Sequence, residues 1–498
     1  MDTPAWVSDA IFYQIFPDRF AKSERVNKQG LNLEAWDTPP TIYGFKGGDL
    51  RGVTEHLDYI RDLGVNAIYF TPIFASASNH RYHTYDYYNV DPLLGGNDAL
   101  RELLDTAHKK DIRVVLDGVF NHASRGFWQF HHTLENGAAS PYVDWFHFDP
   151  EHLQGKKHWG AYPSPEEQQV IQREGSYKAI GYQGWWNLPA LPKFNTQTPA
   201  VREFIFNVAE HWIKFGIDGW RLDVPGEIDD DSFWQEFRRR VRAINPEAYI
   251  VGEIWLDARR WLQGDQFDAS MNYMVTAACL GFLTGKHLDL NETLKAGGYQ
   301  GRVSHIDANE FANQIDSILG MYHPDVTRVQ LNLLDSHDTP RFLTCAGRDL
   351  NSLKLALTFL FAYPGAPCIF YGDEIGLYGR HDPECRQPFP WDESKWDHAL
   401  RDFVKELIAL RKAHPALCGE GSYKRLYSAD SVYAFKRESE DETILIALNA
   451  AETEQKINLS GVSLSQEKNR ILFGQAKVEV QGETIQLNLP PRSGVVLK

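Results

Sequence analysis

The chain has 498 residues and a formal net charge of −16; 43% of its residues are hydrophobic and 24% charged. That length suggests roughly two to four domains, and the composition is that of a globular protein with a sizeable core. The acidic balance argues against a nucleic-acid surface, whose footprint is basic, and no run of about 18 apolar residues offers a membrane span. The five cysteines, Cys279, Cys345, Cys368, Cys385 and Cys418, are scattered without metal spacing. The N-terminus, MDTPAWVSDAIFYQIF, lacks a basic start followed by a long apolar run. Free thiols and a cytoplasmic location are therefore expected. Aromatic residues reach 13%, with 14 Trp and 22 Tyr, and flat rings serve sugar or apolar ligands as well as cores.

In chain order, Ala10 to Phe16 reads as a short buried strand that stops at Pro17. A helical pattern from Leu50 to Leu63 ends at Gly64, and Val65 to Thr71 is a second buried strand. A helix through ALRELLDTAHKK follows, with Asn97 or Asp98 as its expected cap, and then a third strand, Ile112 to Phe120. Between His122 and about Thr198 the rhythm pauses. That stretch is too long for a simple loop and is read as an inserted small domain. The rhythm resumes with a helix from Pro199 to Phe215, carrying Pro where the missing N–H costs nothing. Strands follow at Gly216 to Asp223, Ala248 to Ile254, Phe267 to Tyr273, Arg328 to Asp335 and Pro367 to Asp373, with helices at Asp231 to Ile244 and Ala399 to Lys412 among the connecting segments.

Eight short buried strands alternating with helices imply a parallel sheet, and eight of them a closed (β/α)8 barrel with its site at the C-terminal strand ends. From about Pro415 short alternating runs appear instead: VYAFKR, TILIALN, NRILFG, VEVQG, TIQLNL and SGVVLK. They predict a separate antiparallel β-sandwich, which either binds carbohydrate or merely covers the barrel's flank. The expected organisation is a barrel over residues 1–122 and 199–414, an inserted domain over 123–198 and a β domain over 415–498.

The strand ends carry the polar residues. Asp117 and His122 follow the third strand, Arg221 and Asp223 the fourth, Glu253 the fifth, and His337 with Asp338 the seventh. Arg221 and Asp223 lie two apart in a strand and project to one face. A guanidinium there lowers the carboxyl's pKa and keeps it ionised; taken alone, the pair reads equally well as a structural ion pair.

The stretches DGVFNH (Asp117 to His122), GWRLD (Gly219 to Asp223), IVGEIW (Ile250 to Trp255) and LLDSHD (Leu333 to Asp338) together resemble the four motifs of glycoside hydrolase family 13, the α-amylase family. The resemblance implies that Asp223 is the nucleophile, Glu253 the general acid and Asp338 a third acid that binds sugar hydroxyls and distorts the ring. It further implies that His122 and His337 hydrogen-bond the reacting sugar, with Asp117, Arg221 and Trp255 also at the binding site. A retaining glycosidase needs one ionised and one protonated carboxyl about 5–5.5 Å apart. Arg221 is expected to depress the first pKa, and the apolar neighbours of Glu253 to raise the second.

Within the family the chain resembles the neopullulanase, cyclomaltodextrinase and maltogenic amylase group. SNHRYHTYDYYNVDP is similar to that group's N-H-K-Y-D-T-x-D-Y and implies Tyr82 as the platform under the reacting sugar, with packing as the plain alternative. His83 stands where the group has Asp. LPALPKFN is similar to M-P-K-L-N and implies Lys193 as a substrate contact; Leu256 replaces the group's His after the general acid. The barrel begins at about Ala10, which leaves no room here for the group's N-terminal β domain. Trp185, Trp186, Phe127 and Trp128 are candidate stacking positions on the insertion. No cofactor is required by this reading, no metal ligand set is assigned, and calcium is left open. The expected partners are α-glucan oligosaccharides or polysaccharides, with no nucleic acid or membrane and with a homodimer left open. The implied activity is retaining hydrolysis of α-1,4 and α-1,6 bonds in malto-oligosaccharides, pullulan or branched glucans. Transglycosylation on the same glucans is the alternative; a non-catalytic relative is disfavoured by the intact acids.

Overall fold

The computed structural model describes residues 1–460, 471–481 and 484–498. Asn469, Arg470 and Gly482, assigned to the NRILFG and VEVQG runs, lie outside the described residues. Eight parallel strands share one sheet: β1 (Phe12–Ile15), β2 (Ala67–Phe70), β3 (Arg113–Gly118), β4 (Gly219–Leu222), β5 (Tyr249–Gly252), β6 (Ala269–Ser270), β7 (Leu331–Leu333) and β8 (Ala366–Phe370). Their order is β6-β5-β4-β3-β2-β1-β8-β7, and a parallel bridge from Met271 to Leu331 joins the two end strands. The sheet therefore closes into a (β/α)8 barrel. All eight expected strands are present, each shorter than its expected span. Buried on both faces, such strands carry apolar residues throughout rather than in alternation.

Two local expectations are corrected. The helix expected over 50–63 is two helices, Leu50–Glu55 and Leu57–Leu63. His56 between them leaves helical geometry (φ −109°, ψ 13°); its ring bonds the Gly52 carbonyl at 2.8 Å and packs on Trp391. The helix expected to be capped by Asn97 or Asp98 begins at Gly96, after Gly95 at φ 98°. Asn97 is diverted elsewhere: its Oδ1 accepts from the Val90 amide at 2.7 Å and its Nδ2 donates to the Tyr88 carbonyl.

The segment after β3 contains the helices Trp128–Asn136 and Pro165–Glu174, the second opened by a Ser164–Glu167 capping box. Phe127, Phe130, Phe146, Phe148, Tyr182 and Phe194 form its aromatic core. A bridge between His122 and Lys193 fastens it just past the end of β3, and one between Phe146 and Phe194 ties it internally. Beyond the barrel, strands Ser422–Ala429, Val432–Glu438, Thr443–Asn449, Ser493–Leu497 and Ile471–Gly474 make one antiparallel sheet, and Gln455–Ser460, Thr484–Leu489 and Lys477–Gln481 a second. The strand from Val432 shows the division of labour. Val432 and Ala434 face the interior between the sheets, whereas Tyr433 and Phe435 pack on Phe311 and Phe359 of the barrel's outer helices. Ser422–Ala429 and Gln455–Ser460 were not expected as strands: the first is largely polar, and the second buries only Ile457 and Leu459.

Candidate active site

β3, β4, β5 and β7 deliver their polar residues to one rim. At its centre lies Arg221 on β4, with a fully buried side chain. Its Nη1 donates to Asp117 Oδ1 and Oδ2 at 3.0 and 2.8 Å and to Asp223 Oδ1 at 3.0 Å. Its Nη2 lies 2.9 Å from Glu253 Oε2. One cation thus faces three carboxyl groups from three adjacent strands. Ionising all three would leave two uncompensated negative charges in a dry pocket, which is strongly unfavourable, so a proton is held within the set.

The direction of each shift follows. Burial, opposed by Arg221, pushes Asp117 up to about 6. Burial also carries Asp223 well above the usual carboxylate range, with Arg221 opposing and Glu253 adding. This overturns the expectation that Arg221 depresses the Asp223 pKa: desolvation is the larger influence, and the guanidinium is shared three ways. Burial raises Glu253 as expected, again against Arg221.

Glu253 is held on both oxygens. Trp255 Nε1 donates to Oε1 at 3.0 Å, and the Val224 amide donates to Oε2 at 3.1 Å. Val224, directly after Asp223, sits at φ 35°, ψ 50°. That left-handed conformation is strained for a β-branched residue, and it accompanies the N–H contact to Glu253. Asp223 Oδ2, by contrast, is buried without a partner. A buried oxygen without a donor, on the carboxyl beside Arg221, is what an attacking atom requires.

Asp117 differs from the others. Besides Arg221, it accepts from Tyr69 at 3.1 Å and Tyr82 at 2.9 Å, and its side chain has no exposure. It lies beneath the site, holding Arg221 and Tyr82, rather than on the surface a sugar meets. Tyr82 follows Arg81, which sits at φ 62° and whose guanidinium bonds Asn79 O and Asp91 Oδ2. The Tyr82 hydroxyl also meets His337 Nε2 at 2.6 Å. Gln14 Nε2 donates to His337 Nδ1 at 2.8 Å, which leaves the ring proton on Nε2. Burial lowers the His337 pKa, so the ring is neutral. Asp338 Oδ2 lies 3.3 Å from the same Nε2, with its side chain 31% exposed.

On the other side, His122 is buried with Nε2 unpartnered and its pKa pushed down by burial to about 3. Trp185 stacks on it (4.9 Å, 9°) and Trp186 on Trp185 (4.6 Å, 16°), so three rings run from the end of β3 toward solvent. Phe127, by contrast, is core, and Trp128 is exposed on the insertion. Lys193 bonds the Glu227 carbonyl and its Oε2 at 3.1 and 3.2 Å. Among the described residues no group of three or more His, Cys, Asp or Glu is arranged to hold a metal ion; His80 and His83 meet only edge to face.

Sequence reasoning missed Gln14, Tyr69, Val224 and Arg386. Arg386 donates to the His337 carbonyl at 2.8 Å and lies 3.5 Å from Asp338 Oδ1. Gln14 and Tyr69 are the polar residues within otherwise apolar β1 and β2, which is a legible signal. Val224 and Arg386 carry none.

The family model for the α-amylase catalytic domain matches residues 14–416, and that for the α-amylase C-terminal domain residues 421–497. The chain belongs to the α-amylase family of glycoside hydrolases. A cyclomaltodextrinase from a Bacillus species is 43% identical over 90% of this chain and 73% of its own length. Neopullulanase 2 of Thermoactinomyces vulgaris is 39% identical over 99% of this chain and 78% of its own. Among solved structures, the debranching enzyme of Nostoc punctiforme is 47% identical, covers 99% of each chain and superposes with a TM-score of 0.88.

Proposed function

We propose that this member of the α-amylase family is a retaining hydrolase of α-1,4 and α-1,6 bonds in malto-oligosaccharides, pullulan or branched glucans. The single observation that carries the reading is the opposed setting of two carboxyls around one guanidinium. Asp223 keeps a free oxygen, while Glu253 is held on both oxygens. In the mechanism, Asp223 attacks the anomeric carbon, and Glu253 gives its proton to the leaving oxygen and then takes one from water. Arg221 balances the charge that moves between them. Asp338, His122 and His337 bind hydroxyls of the reacting sugar; Tyr82 carries its ring; Lys193 and Trp255 border the site. No step calls on a metal. The names of the relatives point to cyclodextrin-sized and branched substrates, and product chromatography on pullulan, β-cyclodextrin and amylopectin tests the assignment, since each reports a different bond or size limit.

Two expected results follow. Tyr82→Ala should lower kcat as well as raise KM, with kcat/KM down by roughly 100-fold, because stacking strengthens as the sugar flattens in the transition state. Altered thermal stability with unchanged kinetics would make Tyr82 a packing residue. Second, remote sugar units supply binding energy that is used at the reacting bond, and the ring stack of His122, Trp185 and Trp186 offers them a place. We therefore expect kcat/KM to rise from maltotriose to longer and branched oligosaccharides. A fastest rate on maltotriose with branched chains refused would contradict this.

A cytoplasmic location is proposed from the five free thiols, four of them buried; among the described residues no helix is long and apolar enough to cross a membrane.

A further inference from the structure

A pocket of about 420 Å³ lies between the strand Thr84–Val90 and the start of the helix Trp128–Asn136, with Phe204 of the helix Pro199–Phe215 also in its wall. That size suits a small ligand. None of Asp117, Arg221, Asp223, Glu253, His337 and Asp338 lines it, and no step of glucan cleavage uses it. Trp128, which the active site leaves unused, stands at this pocket with 60% of its surface exposed, and Tyr85 with 39%. His132 meets the Trp128 indole edge-on, at 5.7 Å and 72°. An indole met only at an angle keeps a flat face for stacking.

The floor is preformed. Tyr87, Phe127 and Phe204 pack edge to face on one another, with ring centroids 5.8, 5.8 and 5.6 Å apart. The Tyr87 hydroxyl lies 2.9 and 2.8 Å from the Val119 and His122 carbonyls, so a fixed ring stands between the pocket and the His122 backbone.

The polar residues narrow the class of ligand. Asp86 accepts from the Tyr88 amide at 2.9 Å on one oxygen and from Asn89 Nδ2 at 2.8 Å on the other. Each oxygen keeps a second lone pair for a hydroxyl, and Gln129 beside it in the lining supplies an amide donor and acceptor. With Asp86 present and no Lys or Arg among the lining residues, an anion is repelled. A wholly apolar guest would cover Asp86 and Gln129 without giving them partners, which is costly. A pyranose satisfies both parts of the pocket, because its faces are apolar and its hydroxyls ring the edge.

We propose that this pocket is a second glucan-binding site, where a glucosyl unit stacks on Trp128 while another stretch of the same chain occupies the active site. The inference rests on the glycosidase reading. Holding one chain at two places makes the second contact intramolecular and raises affinity for polymer without altering the reacting bond. A chain too short to span both sites gains nothing.

The test compares the wild type with Trp128→Ala and Trp128→Phe on amylopectin and on maltotriose. The same substitutions, placed in Glu253→Gln so that the gel is not digested, are run by native electrophoresis through amylopectin. Trp128→Ala should raise KM for amylopectin roughly fivefold at unchanged kcat and weaken retardation by a similar factor, about what one lost stacking contact supplies. Trp128→Phe should keep most of both, and maltotriose kinetics should not change in either variant. Wild-type KM and retardation in Trp128→Ala would overturn the second site and leave the glycosidase reading intact. So would an equal loss on maltotriose, which would make Trp128 a support of the active site. If the wild type cleaves neither glucan, the glycosidase reading falls and this proposal with it.

Discussion

Asp223→Asn is expected to lower the hydrolysis of every glucan by roughly 10⁴-fold or more, because an amide does not form the covalent bond to the anomeric carbon. The fold should not suffer. Asp223 accepts one hydrogen bond, from Arg221, on Oδ1, while Oδ2 has no donor. An asparagine keeps that acceptor, places its NH2 where no donor opposes it, and removes one of three carboxyls from around a single guanidinium. Thermal melting should therefore be unchanged or slightly higher, since burial disfavours the ionised form. Initial rates on maltohexaose and a melting curve check both halves. More than about a hundredth of the activity retained by a folded protein would remove Asp223 from the nucleophile's role.

Glu253→Gln should be similarly inactive on glucans but differ in two ways. A leaving group that needs no proton, as in maltosyl fluoride or a nitrophenyl maltoside, should restore the first step by roughly 10²-fold or more. Equal losses on activated and natural substrates would show that Glu253 is not the acid. The substitution should also cost about 1–3 kcal/mol in stability, because Glu253 accepts from Trp255 and Val224 on opposite oxygens and a glutamine offers only one of them. The pH profile carries the same assignment. Burial holds the Glu253 pKa above its usual value, so its proton persists to higher pH than on a free carboxyl. Activity should fall as pH rises through that raised value, and this basic limb should vanish in Glu253→Gln acting on a fluoride.

Much of the site was legible because the barrel turns strand ends into addresses. Once β3, β4, β5 and β7 are read as buried runs, Asp117, Arg221, Asp223, Glu253 and His337 must meet at one rim, however far apart they lie in the chain. The periodicity that locates a strand is a short-range property, and so is the step of two that puts Arg221 and Asp223 on one face. The Leu50–Leu63 pattern misled for the same reason. Its apolar spacing is helical, and only the tertiary packing of His56 against Trp391 breaks it. Asn97 misled because a capping side chain and a side chain tied to a neighbouring strand look alike in sequence.

The sequence by itself determined the eight-strand barrel, the inserted segment, the β domain and the identity of the residues at the rim, since burial patterns and polar residues at strand ends are local. Only the tertiary structure decided how those residues contact one another. It showed that Arg221 serves three carboxyls, that Asp117 lies beneath the site, and that the strained amide of Val224 and the ring of Trp255 fix Glu253. These depend on distances between groups from different strands and on how far each is removed from water, and electrostatic balance in a buried pocket is set by both.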